Sequence, residues 1–476
     1  MKPRSLLPAL LAAFAPAAAA APHGQHGSPF SGLNLTQPLP ANSSHQSGGD
    51  TYVVIFDADL DLPPQVDEVL DRLELTAAHD DVLYTFNNSA FRGFTAKMQS
   101  HCVDALNGMV DVSVVETAAT IDSYESRGDA PWGLQRISSS GPVSGDPESL
   151  GFTYTFEDNN LGSGVDLYVL DTGVNTEHAL FGGRATKGFS AYPTDDDGDG
   201  HGTHCAGTAA GSVVGVSSGA NIIGVKVLGD DGSGDVSFAL AGMDWVVDQH
   251  NQRKNEPDFK GSVISMSFGI QGNSAAMRQA VTQVSDAGVH IAVAAGNDDA
   301  DACDFSPSEL GGSNSAVVSV GSVGFQDGVS DFSNTGSCVD IFAPGEHVLS
   351  TWVGGDNVVN FLQGTSMATP HVSGVMVYMI GEDPASFGTN PQALKTALLD
   401  EALGGVVQGS RLLNNGETGR GIGGVLPGGR KTKRSIHVVP EEDYHAFEER
   451  DASNVEAGDL IFKLARRDER SSRLRY

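Results

Sequence analysis

The chain has 476 residues, 39% of them hydrophobic and 59 of them glycine, and carries a formal charge of −32. That length leaves room for more than one domain, and the apolar share suffices for a sizeable core. With 60 acidic against 28 basic residues, the composition argues against a nucleic-acid partner, because phosphate binding rests on clustered Lys and Arg. The acidity is uneven. About twelve of the 28 basic residues lie from Gly416 onward, where charge is roughly balanced, so the excess sits in everything before it.

In chain order, residues 1–21 read as a secretory signal peptide. Lys2 and Arg4 precede the apolar run "LLPALLAAFAP", and Ala17 to Ala21 offers an Ala-x-Ala cleavage site. No later apolar segment approaches the ~20 residues a bilayer span needs, so a soluble, exported product is expected, outside the cell or in a vacuole. Residues 22–50 are rich in Pro, Gly and Ser and read as a linker. Asn34, Asn42 and Asn87 head the usable N-glycosylation triplets.

Over 51–124, "TYVVIF" reads as a strand, "PPQVDEVLDRLEL" as a helix opened by proline, "VLYTF" and "FRGFTAKM" as strands, "MQSHCVDALNGM" as a helix and "VDVSVVETAATI" as a strand. A β-α-β-β-α-β order in some seventy residues predicts a small ferredoxin-like α+β domain. Residues 125–415 change character. The strands "VDLYVLD", "NIIGVKVL", "SVISMSFG" and "VHIAVAAGN" alternate with helical stretches. Near-continuous apolar strands separated by helices imply an α/β domain whose mostly parallel central sheet is flanked by helices. Residues 416–476 form a charged C-terminal tail with a dibasic pair, Lys433-Arg434. It reads either as disordered or as trimmed.

Functional residues in open α/β sheets collect at the carboxyl ends of strands. Here one strand ends in Asp171, another in Asn297, and two probable helices open with His201 and Ser366. Each has a plain reading alone: Asp171 as an Asx-turn residue, His201 and Asn297 as turn residues, Ser366 as an N-cap. An acid, an imidazole, an amide and a hydroxyl at converging element ends are poorly explained by four coincidences.

The blocks "VLDTGV", "GHGTHCAGT", "AAGN" and "GTSMATPHVSG", in that order, resemble the signature blocks of subtilisin-like serine proteases. "APWGLQRIS" and "HGTHCAGT" are similar to the proteinase K branch, and "DAC" with "GSCVDIFAPG" to its cerevisin-type members. The likeness covers roughly 130–415, and the small domain before it resembles the family's inhibitory propeptide.

The resemblance implies a peptide hydrolase in which Asp171 orients His201, His201 is the general base and Ser366 the nucleophile. His204 is then structural. Asn297 and the Ser366 backbone N–H would form the oxyanion hole. Ser366 sits at the positive end of a helix dipole, and Pro370 is tolerated there because first-turn N–H groups lack intrahelical partners. Gly232, Ser233 and Gly234 would pair with substrate as an added strand. Ser267, Phe268, Gly269 and Ala294, Ala295, Gly296 would line a roomy pocket for hydrophobic or aromatic side chains. Cys303 and Cys338, which flank a loop near the oxyanion segment, are expected to pair, leaving Cys102 and Cys205 free. Propeptide removal would fall between Tyr124 and Glu125.

No cofactor is needed for this chemistry, but a structural calcium is expected by analogy at Asp340, although "SELGGSNSAVV" differs in length from the segment supplying carbonyl ligands in proteinase K relatives. Protein and peptide substrates, the chain's own propeptide as intramolecular inhibitor, and a monomeric state complete the expectation.

Other signals fail on inspection. "DDDGDG" (195–200) has the spacing of an EF-hand start, but position twelve would be Ala206. His201 and His204 lack the glutamate of a zinc-protease motif. A nucleotide-binding fold lacks its glycine-rich fingerprints. A non-catalytic binding protein on the same scaffold predicts a broken triad.

Overall fold

The computed structural model describes residues 50–57, 64–88, 91–118, 125–157, 160–416, 436–440 and 460–465. The signal peptide, Asn34, Asn42, Tyr124 and the dibasic pair lie outside these residues. The chain divides into two compact units, 1–121 and 122–476.

The first unit is a four-stranded antiparallel sheet built from Asp50–Phe56, Val82–Asn87, Arg92–Met98 and Val112–Thr117. In sheet order the second strand comes first, then the third, the first and the fourth. Two helices, Val66–Arg72 and Ser100–Asn107, connect them, which gives the ferredoxin-like order expected. Val54, Phe56, Val69, Leu70, Phe94, Ala96 and Leu106 form its core. The first helix starts later than the prolines suggest. Its N-cap is Gln65, whose N–H is taken by the Glu68 carboxylate at 3.4 Å, a three-residue reach-back that caps a helix without proline at its first position. Asn87 is exposed.

The second unit carries, among the described residues, a nine-stranded sheet. From one edge to the other it runs Leu403–Val407, Ser410–Leu412, Ile341–Pro344, Val318–Val323, His290–Ala294, Gly261–Met266, Val165–Asp171, Asn221–Lys226 and Ala185–Ser190. Every pairing is parallel except the terminal hairpin of the first two strands. The sheet interior is apolar on both faces. Leu167, Val169, Val263 and Ala292 face one cluster with the helices His201–Ala210 and Thr365–Glu382, while Leu170, Ile264, Ile291 and Val293 face another with Val236–Arg253 and Ala275–Asp286. That two-sided burial is why these strands read as unbroken hydrophobic runs.

Two segments of the C-terminal tail belong to this unit. Ile436–Pro440 pairs in parallel with Leu460–Leu464, which pairs in parallel with Val358–Leu362, matching Val358 to Lys463 and Val359 to Leu464. Phe462 is buried among Leu180, Val213, Val214, Leu349 and Val359. No helix among the described residues is long and apolar enough to cross a membrane.

Candidate active site

Three neighbouring strands deliver their carboxyl ends to one edge of the sheet. Leu170 is level with Met266, and Met266 with Val293, so Asp171, Ser267 and Ala294 follow one another across it. Asp171 is fully buried. One of its carboxylate oxygens accepts both the Thr172 N–H and His201 Nδ1, each at 2.7 Å.

His201 is the first residue of the helix His201–Ala210, and the acidic loop before it fixes where that helix begins. Asp197 accepts from the N–H groups of Asp199, Gly200 and Thr203 and from the hydroxyls of Thr172 and Thr203, between 2.6 and 3.1 Å. The Thr172 hydroxyl in turn accepts from Gly202 N–H at 2.9 Å. One carboxylate thereby satisfies orphan donors of the first turn and ties the helix to the strand end bearing Asp171. Helix and strand also meet closely: a Cβ on Gly202 would lie 2.1 Å from the Gly173 carbonyl oxygen. The spacing that resembled a cation loop is an anchor for the His201 helix.

Burial alone would lower the His201 pKa. The charge of Asp171 and the Cys205 sulfur outweigh it, and the imidazole is raised well above its ordinary value. His204, three residues on, behaves oppositely. Burial first, then the charge of His201, hold it down at about 3, and its Nε2 faces the carbonyls of Val348 and Asn360 at 3.0 and 3.1 Å. It fastens its helix to the strands Val348–Thr351 and Val358–Leu362 and does not approach a zinc-like partnership with His201.

Ser366 is the second residue of the helix Thr365–Glu382. Its hydroxyl donates to the Ser267 carbonyl at 2.9 Å. Its own carbonyl accepts from Ser267 Oγ at 2.9 Å and from Cys205 Sγ at 3.5 Å. Cys205 Sγ also lies 4.0 Å from His201 Nδ1, so the sulfur bridges the first turns of the two helices. Pro370 corrects the sequence reading. It stands at the sixth helical position, beyond the first turn, and the N–H it lacks is the one that would bind the Ser366 carbonyl. Ser267 and Cys205 take that carbonyl instead, which is why a proline inside this buried helix leaves no acceptor stranded.

Asn297 follows the strand His290–Ala294. Its Oδ1 accepts from Thr365 N–H at 2.8 Å and from Thr365 Oγ at 3.0 Å. Gly364, at φ +152°, precedes this turn, and a Cβ there would come 3.5 Å from Asn297 Nδ2. The amide nitrogen thus faces the open backbone beside Ser366. Asn334, fully buried, shapes the same loop: it donates to the Ala295 carbonyl and accepts from the N–H groups of Asp298 and Ala300 at 2.9 to 3.0 Å.

The remaining expected substrate contacts differ in exposure. Ser267 is buried, Phe268 half-buried and Gly269 exposed; Ala294 and Ala295 are buried and Gly296 partly so. Gly232 is half-buried and Ser233 and Gly234 are exposed, without regular structure, just before the helix Val236–Arg253. The Ser233 carbonyl accepts from Gly229 N–H at 2.7 Å and Tyr192 OH at 3.1 Å.

A family model described as the subtilase family matches residues 162–428, more than half of the chain. The chain belongs to the subtilase family. It is similar to the subtilisin-like serine protease Pen ch 18 of Penicillium rubens, 36% identical over 411 residues that cover 79% of this chain and 81% of that one. Proteinase R of Parengyodontium album is 43% identical over 290 residues, 61% of this chain and 70% of the relative. Among solved structures, a cold adapted subtilisin-like serine proteinase matches with a TM-score of 0.52 and 39% identity, covering 60% of this chain and 98% of that one.

Within this subtilase, Cys303 and Cys338 form a disulfide with Cα atoms 5.3 Å apart, and Cys102 and Cys205 are free and buried. At Asp340, where the family likeness suggests calcium, the carboxylate faces an ammonium group: Lys395 Nζ is 2.8 Å from Asp340 Oδ1. The same nitrogen donates to the carbonyls of Gly312, Ser315 and Val317 at 2.8, 3.0 and 2.7 Å. The donor set around Asp340 therefore surrounds a protein cation and does not fit an added metal ion.

Sequence reading missed Asp197, Thr365, Asn334 and Lys395. The first two lie inside quoted motifs and carried a visible signal: an Asx residue ahead of a helix, and a hydroxyl beside the serine. Asn334 and Lys395 act across 34 to 83 residues of chain, and no local pattern marks them.

Proposed function

We propose that this subtilisin-like serine protease cleaves peptide bonds with Asp171, His201 and Ser366 as catalytic triad, by way of an acyl-enzyme. The observation that carries the reading is the buried 2.7 Å contact between Asp171 and His201 Nδ1, with Ser366 on the adjoining helix turn. A carboxylate only accepts, so Nδ1 keeps its proton, and Nε2 is the basic atom once the imidazole, whose pKa is raised, has lost its second proton. In the attack, the Ser366 hydroxyl leaves the Ser267 carbonyl and passes its proton to Nε2. Oγ bonds to the substrate carbonyl carbon, and the negative oxygen that forms is met by Asn297 Nδ2 and the Ser366 N–H. His201 then protonates the departing amine as the C–N bond breaks, and water releases the acyl group by the reverse route.

Small residues at Ser267, Gly269 and 294–296 leave space for a large side chain before the cut, and no acidic side chain lines those segments, so hydrophobic or aromatic residues are preferred. Gly232–Gly234 add the substrate as an extra strand. The domain 51–124 serves as an inhibitory propeptide, removed by self-cleavage between Tyr124 and Glu125. The precursor enters the secretory pathway by residues 1–21, acts outside the cell and carries glycans at Asn34, Asn42 and Asn87 until processing. A non-catalytic role on this scaffold requires a lost triad position, and all three are retained.

A fluorophosphonate probe tests the reading. Covalent labelling at Ser366, with loss of peptide hydrolysis and an uncut precursor in Ser366→Ala, is expected. An unlabelled Ser366, or normal processing of Ser366→Ala, would overturn it.

A further inference from the structure

We propose that Lys395 is a built-in cation, its ammonium group standing where a divalent ion would otherwise hold Asp340 to the main chain of residues 312–317. An ordinary buried ion pair needs one carboxylate and lets the other ammonium hydrogens reach water. Here the Lys395 side chain is 3% exposed and Asp340 2%, and all four oxygens around the nitrogen come from the protein. Three of them are main-chain carbonyls of a single loop, at 2.7 to 3.0 Å. Carbonyls curled inward around a carboxylate are the hard-oxygen set that binds calcium. At N–H···O distances an ammonium occupies the same set, its three hydrogens directed to the carbonyls and its charge met by the carboxylate.

The geometry also explains why the cage stays closed. The other Asp340 oxygen accepts Ser319 N–H at 2.8 Å, so the carboxylate is anchored to the strand Val318–Val323 independently of the lysine. Cys338, two residues before Asp340, is tied by its disulfide to Cys303. Lys395 reaches in from the helix Pro391–Glu401, where Leu394 and Leu398 are buried beside it. One side chain thus joins a late helix, a central strand and the loop after the oxyanion segment. A calcium ion in the same place would overlap the ammonium and set like charges together, so the two are mutually exclusive.

Calcium titration calorimetry on the purified full chain and on Lys395→Ala tests this. The variant should bind one more calcium ion per chain than the unsubstituted protein. Its thermal midpoint should fall in EGTA and recover with calcium, and the extra ion should be lost again when Asp340→Ala is combined with it. Equal calcium counts in the two proteins would overturn the proposal. Should Lys395→Ala fail to fold, terbium soaked into crystals of the unsubstituted protein decides: no anomalous peak at Asp340 supports the proposal, and a peak bonded to that carboxylate refutes it.

Discussion

One threonine decides which way the Asn297 amide points. A side-chain amide has an oxygen and a nitrogen of nearly equal size, and only its partners orient it. Thr365 offers two donors on the same side, its N–H and its hydroxyl, so oxygen must face it and nitrogen must point the other way, which under the proposed mechanism is toward the reacting carbonyl. The Thr365 hydroxyl is itself held by Gly296 N–H at 3.2 Å. Thr365→Val keeps the shape and the backbone donor but removes one of the two constraints. Turnover should fall by about tenfold with little change in KM, since the oxyanion donor works mainly in the transition state. Asn297→Ala should cost about 10²–10³, the range that holds for the corresponding donor in subtilisin. Kinetics on one peptide substrate check both, and an unchanged turnover in Thr365→Val would remove it from the positioning network. At this scale the sequence was informative wherever a reactive side chain ended an apolar run, as Asp171 and Asn297 do. It was silent on Asn334, whose contacts exist only once loops distant in the chain have met.

At the scale of elements, the disulfide closes a segment 35 residues long that contains the short helical turn Ser308–Leu310, the strand Val318–Val323 and Asn334. Loop closure of that length removes about 4 kcal/mol of unfolded-chain entropy in the chain-entropy description, and measured losses run from about 2 to 5 kcal/mol. Replacing Cys303 and Cys338 by Ser should lower unfolding stability within that range, read by denaturant titration of the inhibited enzyme. A change below about 1 kcal/mol would mean that the Lys395 cage and the Asn334 contacts already hold the loop. The helix Thr365–Glu382 teaches a different lesson. Its position was legible from the apolar run, but the reason for Pro370 was not, because the partners that compensate it sit at Ser267 and Cys205. The tail strands were hidden for the same cause: "LIFKL" is short and lies in charged surroundings, and its strand character depends on the partner edge at Val358–Leu362.

At the scale of the whole molecule, buried neutral histidines make stability depend on pH. His204 is held at about 3, and His290 and His371 at about 4, in each case chiefly by burial. An unfolded histidine takes its proton near 6.5. Between that value and about 4 the unfolded chain binds protons that the folded chain refuses. Stability that is complete above pH 6.5 therefore drains away as pH falls, by about 1.4 kcal/mol per pH unit for each such histidine. His201 acts in the opposite sense, its raised pKa adding stability on the acid side, but it is one group against five, since burial lowers His178 and His250 as well. Unfolding midpoints at pH 8, 6.5 and 5 should be alike at the first two values and markedly lower at the third. A flat profile from 6.5 to 5 would mean that these imidazoles reach solvent.

The strand Leu460–Leu464 lies about a hundred residues after the edge it completes. A polypeptide made from its amino end therefore builds the whole sheet and both helix layers while Val358–Leu362 still lacks its neighbour. Phe462 arrives late, into a socket lined by Leu180, Val213 and Leu349. Making the chain as far as residue 464 is then itself a step of assembly, and chains broken off before residue 460 would present a bare, sticky border at Val358–Leu362.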